Sequence, residues 1–191
     1  NMASFNISWQ YRSNLYMGLN FNFHDILIEK ELRHIESNFD SDSAITNIDF
    51  RNYLTTIGNG LSLQAGFIDK IGSIRLGLSY KTPTYYKLED NLDQYMETSS
   101  IDIDGNTYTD IVDPRITNIY EYDFKSPSKL TVSGAAVINN MILLSFDIIS
   151  KNYAKTKFSH QFEDVYLELN NAIARNLNSV LDYNFGAELK L

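Results

Sequence analysis

The 191-residue chain contains no cysteine, which removes disulfides, thiolate metal sites and cysteine nucleophiles from consideration and suits passage through an oxidising periplasm. It also lacks a basic excess: the formal net charge is −8, whereas a nucleic-acid binder needs a basic stripe to neutralise phosphates. No apolar run approaches the ~20 residues of a membrane-spanning helix, so any span of a bilayer has to be built from strands. The mean hydropathy of −0.26 does not oppose such a span, because a membrane strand shows lipid only every second residue. Nowhere do charged, apolar and small-residue regions follow one another as in a signal peptide, so export is expected to use an N-terminus ahead of residue 1. Catalytic signatures are missing too, with no G-x-S-x-G elbow, phosphate loop or H-E-x-x-H motif and no acid–base pairing of carboxylates. The sequence points to neither an enzyme nor a cofactor.

What is present is alternation. Phe5, Ile7, Trp9 and Tyr11 alternate with Asn6, Ser8 and Gln10, and side chains two apart share one face of a strand. After Arg12-Ser13-Asn14, Leu15, Met17, Leu19, Phe21 and Phe23 alternate with polar or small residues until the phase is lost at Asp25. Tyr53, Ile57, Leu61, Leu63, Ala65 and Phe67 repeat the pattern, turn at Asp69 to Gly72, and return through Ile74, Leu76, Leu78 and Tyr80. Tyr120, Tyr122, Phe124, Leu130, Val132, Ala136 and Ile138 share one phase, turn at Asn139-Asn140, and return through Ile142, Leu144, Phe146 and Ile148. Leu181, Tyr183, Phe185, Ala187, Leu189 and Leu191 close the chain. These runs predict about seven strands joined as hairpins.

Three tight turns at one end and longer segments near 35–50, 90–117 and 160–176 at the other match an outer-membrane barrel, with short periplasmic turns and long extracellular loops. Trp9, Tyr11, Tyr80, Tyr85, Tyr86 and Tyr122 fall near strand ends, where aromatic girdles belong. The expected fold is all-β, an antiparallel transmembrane β-barrel. Because bacterial barrels close with an even number of strands and leave no edge facing lipid, residues 1–191 are expected to be part of a larger barrel. A soluble β-sandwich binding module is the alternative that also alternates.

Several stretches carry a resemblance. Asn14-Leu15-Tyr16-Met17-Gly18-Leu19, Gly58-Asn59-Gly60-Leu61 leading to Ile74-Arg75-Leu76-Gly77-Leu78-Ser79-Tyr80-Lys81-Thr82-Pro83-Thr84, Glu121-Tyr122-Asp123-Phe124-Lys125-Ser126-Pro127, and the closing Asn184-Phe185-Gly186-Ala187-Glu188-Leu189-Lys190-Leu191 are similar to the FadL/TodX-type outer-membrane transport family, in its Bacteroidetes branch. The resemblance implies a barrel of about fourteen strands whose N-terminal hatch and remaining strands are absent here. It implies passive uptake of small hydrophobic molecules such as long-chain fatty acids across the bacterial outer membrane. Some relatives serve a protein-secretion system, which leaves a barrel accessory or shuttle with a protein partner as the alternative. The remaining expected partners are membrane lipid, lipopolysaccharide and the hydrophobic ligand.

On this reading Leu19, Phe21, Leu63, Leu76, Leu78, Val132 and Phe185 face lipid, and Tyr16, Asn20, Asn22, Gln64, Arg75, Ser79, Thr131 and Glu188, in the opposite phase, line the ligand channel. Pro83 and Pro127 stand at similar heights and should interrupt pairing there, either as a bend or as a lateral opening, the latter a feature the family is thought to permit. His24, His34 and His160 share no ligand spacing, so no metal is expected from them. Asp102, Asp104, Gly105, Asn106 and Asp110 weakly suggest a calcium loop, but the glycine comes too early and Asp-Gly is a turn signal. Phe162, Val165, Tyr166, Leu169 and Ile173 fall at helical spacing and predict a short amphipathic helix, packed on the rim or offering an apolar groove.

Overall fold

The computed structural model describes residues 1–37, 44–139, 141–160 and 163–189. In chain order the elements are β1 (Met2–Gln10), β2 (Leu15–Ser37), β3 (Ile45–Ile71), β4 (Ile74–Lys81), β5 (Tyr85–Ile101), β6 (Thr107–Val112), β7 (Asn118–Lys125), β8 (Lys129–Ile138), β9 (Ile142–Asn152), β10 (Lys157–Ser159), α1 (Leu167–Asn176) and β11 (Ser179–Leu189). The protein is all-β and antiparallel, with one short α-helix. No described helix is long and apolar enough to cross a membrane, which says nothing about crossing by strands.

The pairing order is β10-β7-β5-β3-β4-β8-β9-β11, with β2 on β3, β1 on β2 and β6 on β5. Both β4 and β5 pair with β3, so they are successive pieces of one strand interrupted at 82–84. By the same logic β7 and β8 are one strand interrupted at 126–128, and β9 and β10 one strand interrupted at 153–156. Joined across these breaks, the path is a seven-strand meander, the count the alternation predicts. Among the described residues β1 and β11 do not pair with each other, so the sheet is open.

The chain divides into two compact units, residues 1–25, 59–87 and 122–191, and residues 26–58 and 88–121. In the first, β3 and β4 meet through the pair Ile71↔Ile74, leaving a two-residue turn at Gly72-Ser73 with Gly72 at φ 59°. Positive φ at the first turn position suits the right-handed strand twist, and glycine takes it without steric penalty. The strand thus runs through Asp69 to Ile71, further than its sequence suggests. Asn139 also has φ 50°; Asn140, Phe162, Lys190 and Leu191 lie outside the described residues.

The second unit corrects the expectation of long loops. Residues 26–37, 45–58, 88–101 and 107–112 are strand. Residues 27–37 escape periodicity because they are exposed on both faces and mostly polar or charged, so no two-residue alternation is imposed. Polar contacts hold them together. Arg33 donates to Asp49 through Nε (2.9 Å) and Nη2 (2.7 Å), and Arg51 donates to the same carboxylate. Thr56 Oγ1 donates to Asp90 at 2.6 Å, and Gln94 Nε2 to Asn52 at 3.0 Å. These two guanidinium groups hold the Asp49 carboxyl well below the usual carboxylate range.

Polarity across the first unit is inverted relative to a water-soluble protein. Among the described residues no hydrophobic side chain is buried, whereas Ser62 and Asn22 retain only 2% and 3% exposure. Leu19, Leu63, Leu76, Leu78, Val132 and Phe185 are exposed, and Phe21 is half-buried. A β-sandwich would place these apolar stripes against a second sheet; here the polar stripe is the covered one.

Candidate functional site

The polar face of the first unit bounds a concavity of about 490 Å³. Tyr16, Asn20, Gln64 and Ser79 come together there, while Asn22, Arg75, Thr131 and Glu188 do not line it. Gln64 Nε2 reaches Ser79 Oγ at 3.5 Å. Thr131 is the cross-strand partner of Ser79, Arg75 pairs with Ala135, and Glu188 lies on the terminal strand opposite Leu143. Ser4 Oγ donates to Asn22 Oδ1 at 3.0 Å. Asn20 Oδ1, Asn22 Nδ2 and Thr131 Oγ1 are buried without a partner among the described residues. Buried polar groups normally have a partner in protein or ordered water.

The breaks in three adjacent strands come at one level. The β4–β8 ladder ends at Lys81↔Lys129, and the β8–β9 ladder at Lys129↔Lys151. Neither Pro83 nor Pro127 can donate to the ladder, and hydroxyls fill part of the gap. Leu63 N donates to Thr82 Oγ1 at 3.0 Å, and Thr84 N to Ser126 Oγ at 2.9 Å. Backbone bonds persist beside them, from Thr82 N to Leu63 O (2.8 Å) and from Ser126 N to Thr84 O (3.0 Å). The joint is an interrupted ladder whose exposed groups are partly satisfied by side chains.

Each break also inverts the strand's phase. Before it, even-numbered Leu78, Tyr80, Leu130 and Val132 are exposed; beyond it, Tyr86, Phe124 and Phe158 turn to the covered face. An irregular segment that shifts the two-residue period by one exchanges the faces of everything that follows. The single phase expected for Tyr120, Tyr122, Phe124, Leu130 and Val132 is therefore wrong: Tyr122 and Phe124 belong to the face opposite Leu130 and Val132. Tyr86 and Tyr122 are likewise not girdle residues, although Trp9, Tyr11, Tyr80 and Tyr85 are exposed as such residues would be.

The inverted residues form an aromatic cluster. Ring centroids are 5.6 Å apart for His24 and Tyr86, 5.9 Å for Tyr86 and Phe124, and 4.9 Å for Phe124 and Phe158. Tyr166 stacks on Phe158 at 5.9 Å. Gly60 makes room for it, since a Cβ there would lie 2.4 Å from the Tyr86 ring. The helix fixes Phe158: Asn170 on α1 accepts from Phe158 N at 2.9 Å and donates to Phe158 O at 2.7 Å, imitating a neighbouring strand. The predicted helical stripe is only partly used, since Tyr166 and Ile173 are half-buried while Val165 and Leu169 are exposed.

Just before the break, Lys81, Lys129 and Lys151 stand side by side in register on the polar face. Lys151 pairs with Asp182 at 3.0 Å; Lys81 and Lys129 make no ion pair among the described residues. The cluster and the lysine row were not picked out from sequence. Their signal is the lysines flanking each break, Lys81-Thr-Pro-Thr-Tyr-Tyr-Lys87, Lys125-Ser-Pro-Ser-Lys129 and Lys151-Asn-Tyr-Ala-Lys-Thr-Lys157.

The chain matches no protein-family model, no curated protein and no solved structure.

Other candidates resolve into structural roles. Asp102 accepts from Asp104 N (2.9 Å), Asn106 N (2.8 Å), Asn106 Nδ2 (2.9 Å) and Tyr108 OH (3.1 Å). These bonds, Asn106 foremost, lower its pKa and commit the carboxylate to the β5–β6 hairpin turn. His24 Nε2 lies 3.3 Å from Ser62 Oγ, and His34 Nε2 2.7 Å from Glu36. No group of three metal-ligating side chains occurs among the described residues.

Proposed function

We propose that the chain is part of a bacterial outer-membrane β-barrel of the FadL/TodX type that passes small hydrophobic molecules, such as long-chain fatty acids, across the membrane without a cofactor or covalent chemistry. One observation carries the reading: the apolar face of the sheet is exposed and the polar face is covered. Lipid favours that arrangement and water opposes it, at ~25 cal/mol for each Å² of apolar surface. The strands β4, β8 and β9, of 8, 10 and 11 residues, have about the length that a tilted strand needs to cross the hydrocarbon. Closure of the sheet is supplied, on this reading, by strands beyond residues 1–191.

The covered face supports an amphipathic cargo. Its concavity carries amide and hydroxyl groups at Asn20, Gln64 and Ser79, Lys81 and Lys129 offer two ammonium groups without an ion pair among the described residues, and the aromatic cluster offers an apolar surface beyond them. Apolar concavities with a few polar groups are typical ligand sites. The interrupted joint at Pro83 and Pro127 is the place for a lateral opening between this face and the bilayer.

The test is uptake of a fluorescent long-chain fatty acid by cells or proteoliposomes carrying the protein. Simultaneous replacement of Asn20, Gln64 and Ser79 by tryptophan should reduce uptake at least fivefold; unchanged uptake removes the transport path from this face. A protein that stays monodisperse in buffer without detergent would refute the membrane reading altogether.

A further inference from the structure

The phase inversion places a second set of lysines on the opposite face. Beyond the break, Lys87, Lys125 and Lys157 border a cavity of about 590 Å³ together with Phe23, Leu61 and Tyr85. His24, Tyr86 and Phe124 of the covered face also border it, but the three lysines share the strand phase of Phe23, Leu61 and Tyr85, which are exposed on the apolar face, so the lysines stand on the apolar side of the cavity. Lys125 and Lys157 are cross-strand partners, which brings their stems within about 5 Å. The Lys125 ammonium lies 5.4 Å from the Tyr85 ring centroid, over an aromatic floor. None of the three lysines makes an ion pair among the described residues, and Asp123 is the one carboxylate bordering the cavity. Three lysines against one carboxylate make a local basic excess on a chain of net charge −8, and such an excess suits an anion.

Height selects the anion. A strand tilted near 40° rises about 2.5 Å along the barrel axis per residue. Lys87 stands 15 residues beyond Gly72, so even with the break uncounted it lies roughly 30 Å above the turn, past the ~25 Å apolar band. That is headgroup level in the leaflet away from the short turns. Basic pockets at such a level bind phosphorylated lipid headgroups.

We propose that Lys87, Lys125 and Lys157 form a binding site for the phosphates of an outer-leaflet glycolipid, the lipid A portion of lipopolysaccharide, whose acyl chains lie along the apolar face below. The site rests on the membrane reading above. A free phosphate would use the same ammonium groups but not the apolar floor of Phe23, Leu61 and Tyr85.

The experiment is native mass spectrometry of the protein in detergent, titrated with bis-phosphorylated lipid A, with dephosphorylated lipid A and with inorganic pyrophosphate. Lipid A is expected to bind at least tenfold more tightly than either control. The K87A/K125A/K157A variant should lose at least tenfold in lipid A affinity, and K87R/K125R/K157R should retain it. Heat-modifiable electrophoretic mobility verifies that each variant is folded and inserted. Equal lipid A binding by the inserted alanine variant overturns the site alone. Pyrophosphate binding as tightly as lipid A, with the same lysine dependence, overturns the lipid assignment. A wild-type protein that fails to insert overturns both this site and the membrane reading.

Discussion

Arginine scanned down the apolar face of β4 tests the inverted polarity by depth. At about 2.5 Å of rise per residue, Ile74, Leu76 and Leu78 stand roughly 5, 10 and 15 Å above Gly72, so the last two bracket the middle of a ~25 Å apolar band. Leu76 and Leu78 are 47% and 37% exposed, so little of the effect comes from lost protein contacts and most from the medium around the guanidinium. Leu76→Arg and Leu78→Arg should destabilise by ~2 to 4 kcal/mol each, and Ile74→Arg by ~0 to 1 kcal/mol. The readout is urea unfolding in vesicles of fixed composition, followed through Trp9, the sole tryptophan, which is exposed on β1. In water all three substitutions would fall within ~0.5 kcal/mol of zero. A flat profile, whether near zero or uniformly large, would refute lipid as the solvent of this face.

Gly60→Ala puts a methyl group 2.4 Å from the Tyr86 ring and should destabilise the aromatic cluster by ~1 to 3 kcal/mol; urea titration showing no loss would mean the ring moves freely. Cysteines at Thr82 and Ser128, next to the pair Lys81↔Lys129, allow the interrupted joint to be cross-linked. Oxidation should slow fatty-acid uptake at least fivefold, and undiminished uptake would leave the joint as a bend. The second unit should lose stability on acidification. Asp49 has a depressed folded pKa, so its contribution is complete above the unfolded value near 3.9 and falls away as pH drops below it toward the folded value. Amide exchange at residues 45–51 measured between pH 6 and pH 3 should show this loss, and Asp49→Asn should flatten the dependence; an unaltered profile would count against the Arg33–Asp49–Arg51 network.

Alternation reveals the strands wherever one face is apolar and the other polar, and for that reason β1, the first half of β2, β4, β8, β9 and β11 can be read directly. It was silent for residues 26–37 and 88–101, where polar residues occupy both faces and pairing is held by contacts such as Arg33–Asp49 that no local period records. It misled at Pro127, because the eye continues an even-numbered run from Phe124 to Leu130 while the chain between them slips by one. Four of the eight expected channel residues line one concavity, since shared phase on neighbouring strands is enough to group them. The aromatic cluster needed more: the register that sets Phe158 beside Phe124, and the helix that holds it there, are properties of distant segments.

The slip at the breaks also constrains how this chain can change. Deleting or adding one residue within 82–84 would restore an unbroken period and exchange the destinations of everything beyond it, sending Tyr86 outward and Tyr85 and Lys87 inward. The neighbouring strands would still carry their own slips, so His24 and Phe124 would lose the Tyr86 ring they pack against. Single-residue length changes in any one of the three segments should therefore be tolerated far less well than changes of two, and a viable change of one should be accompanied by matching changes in the other two.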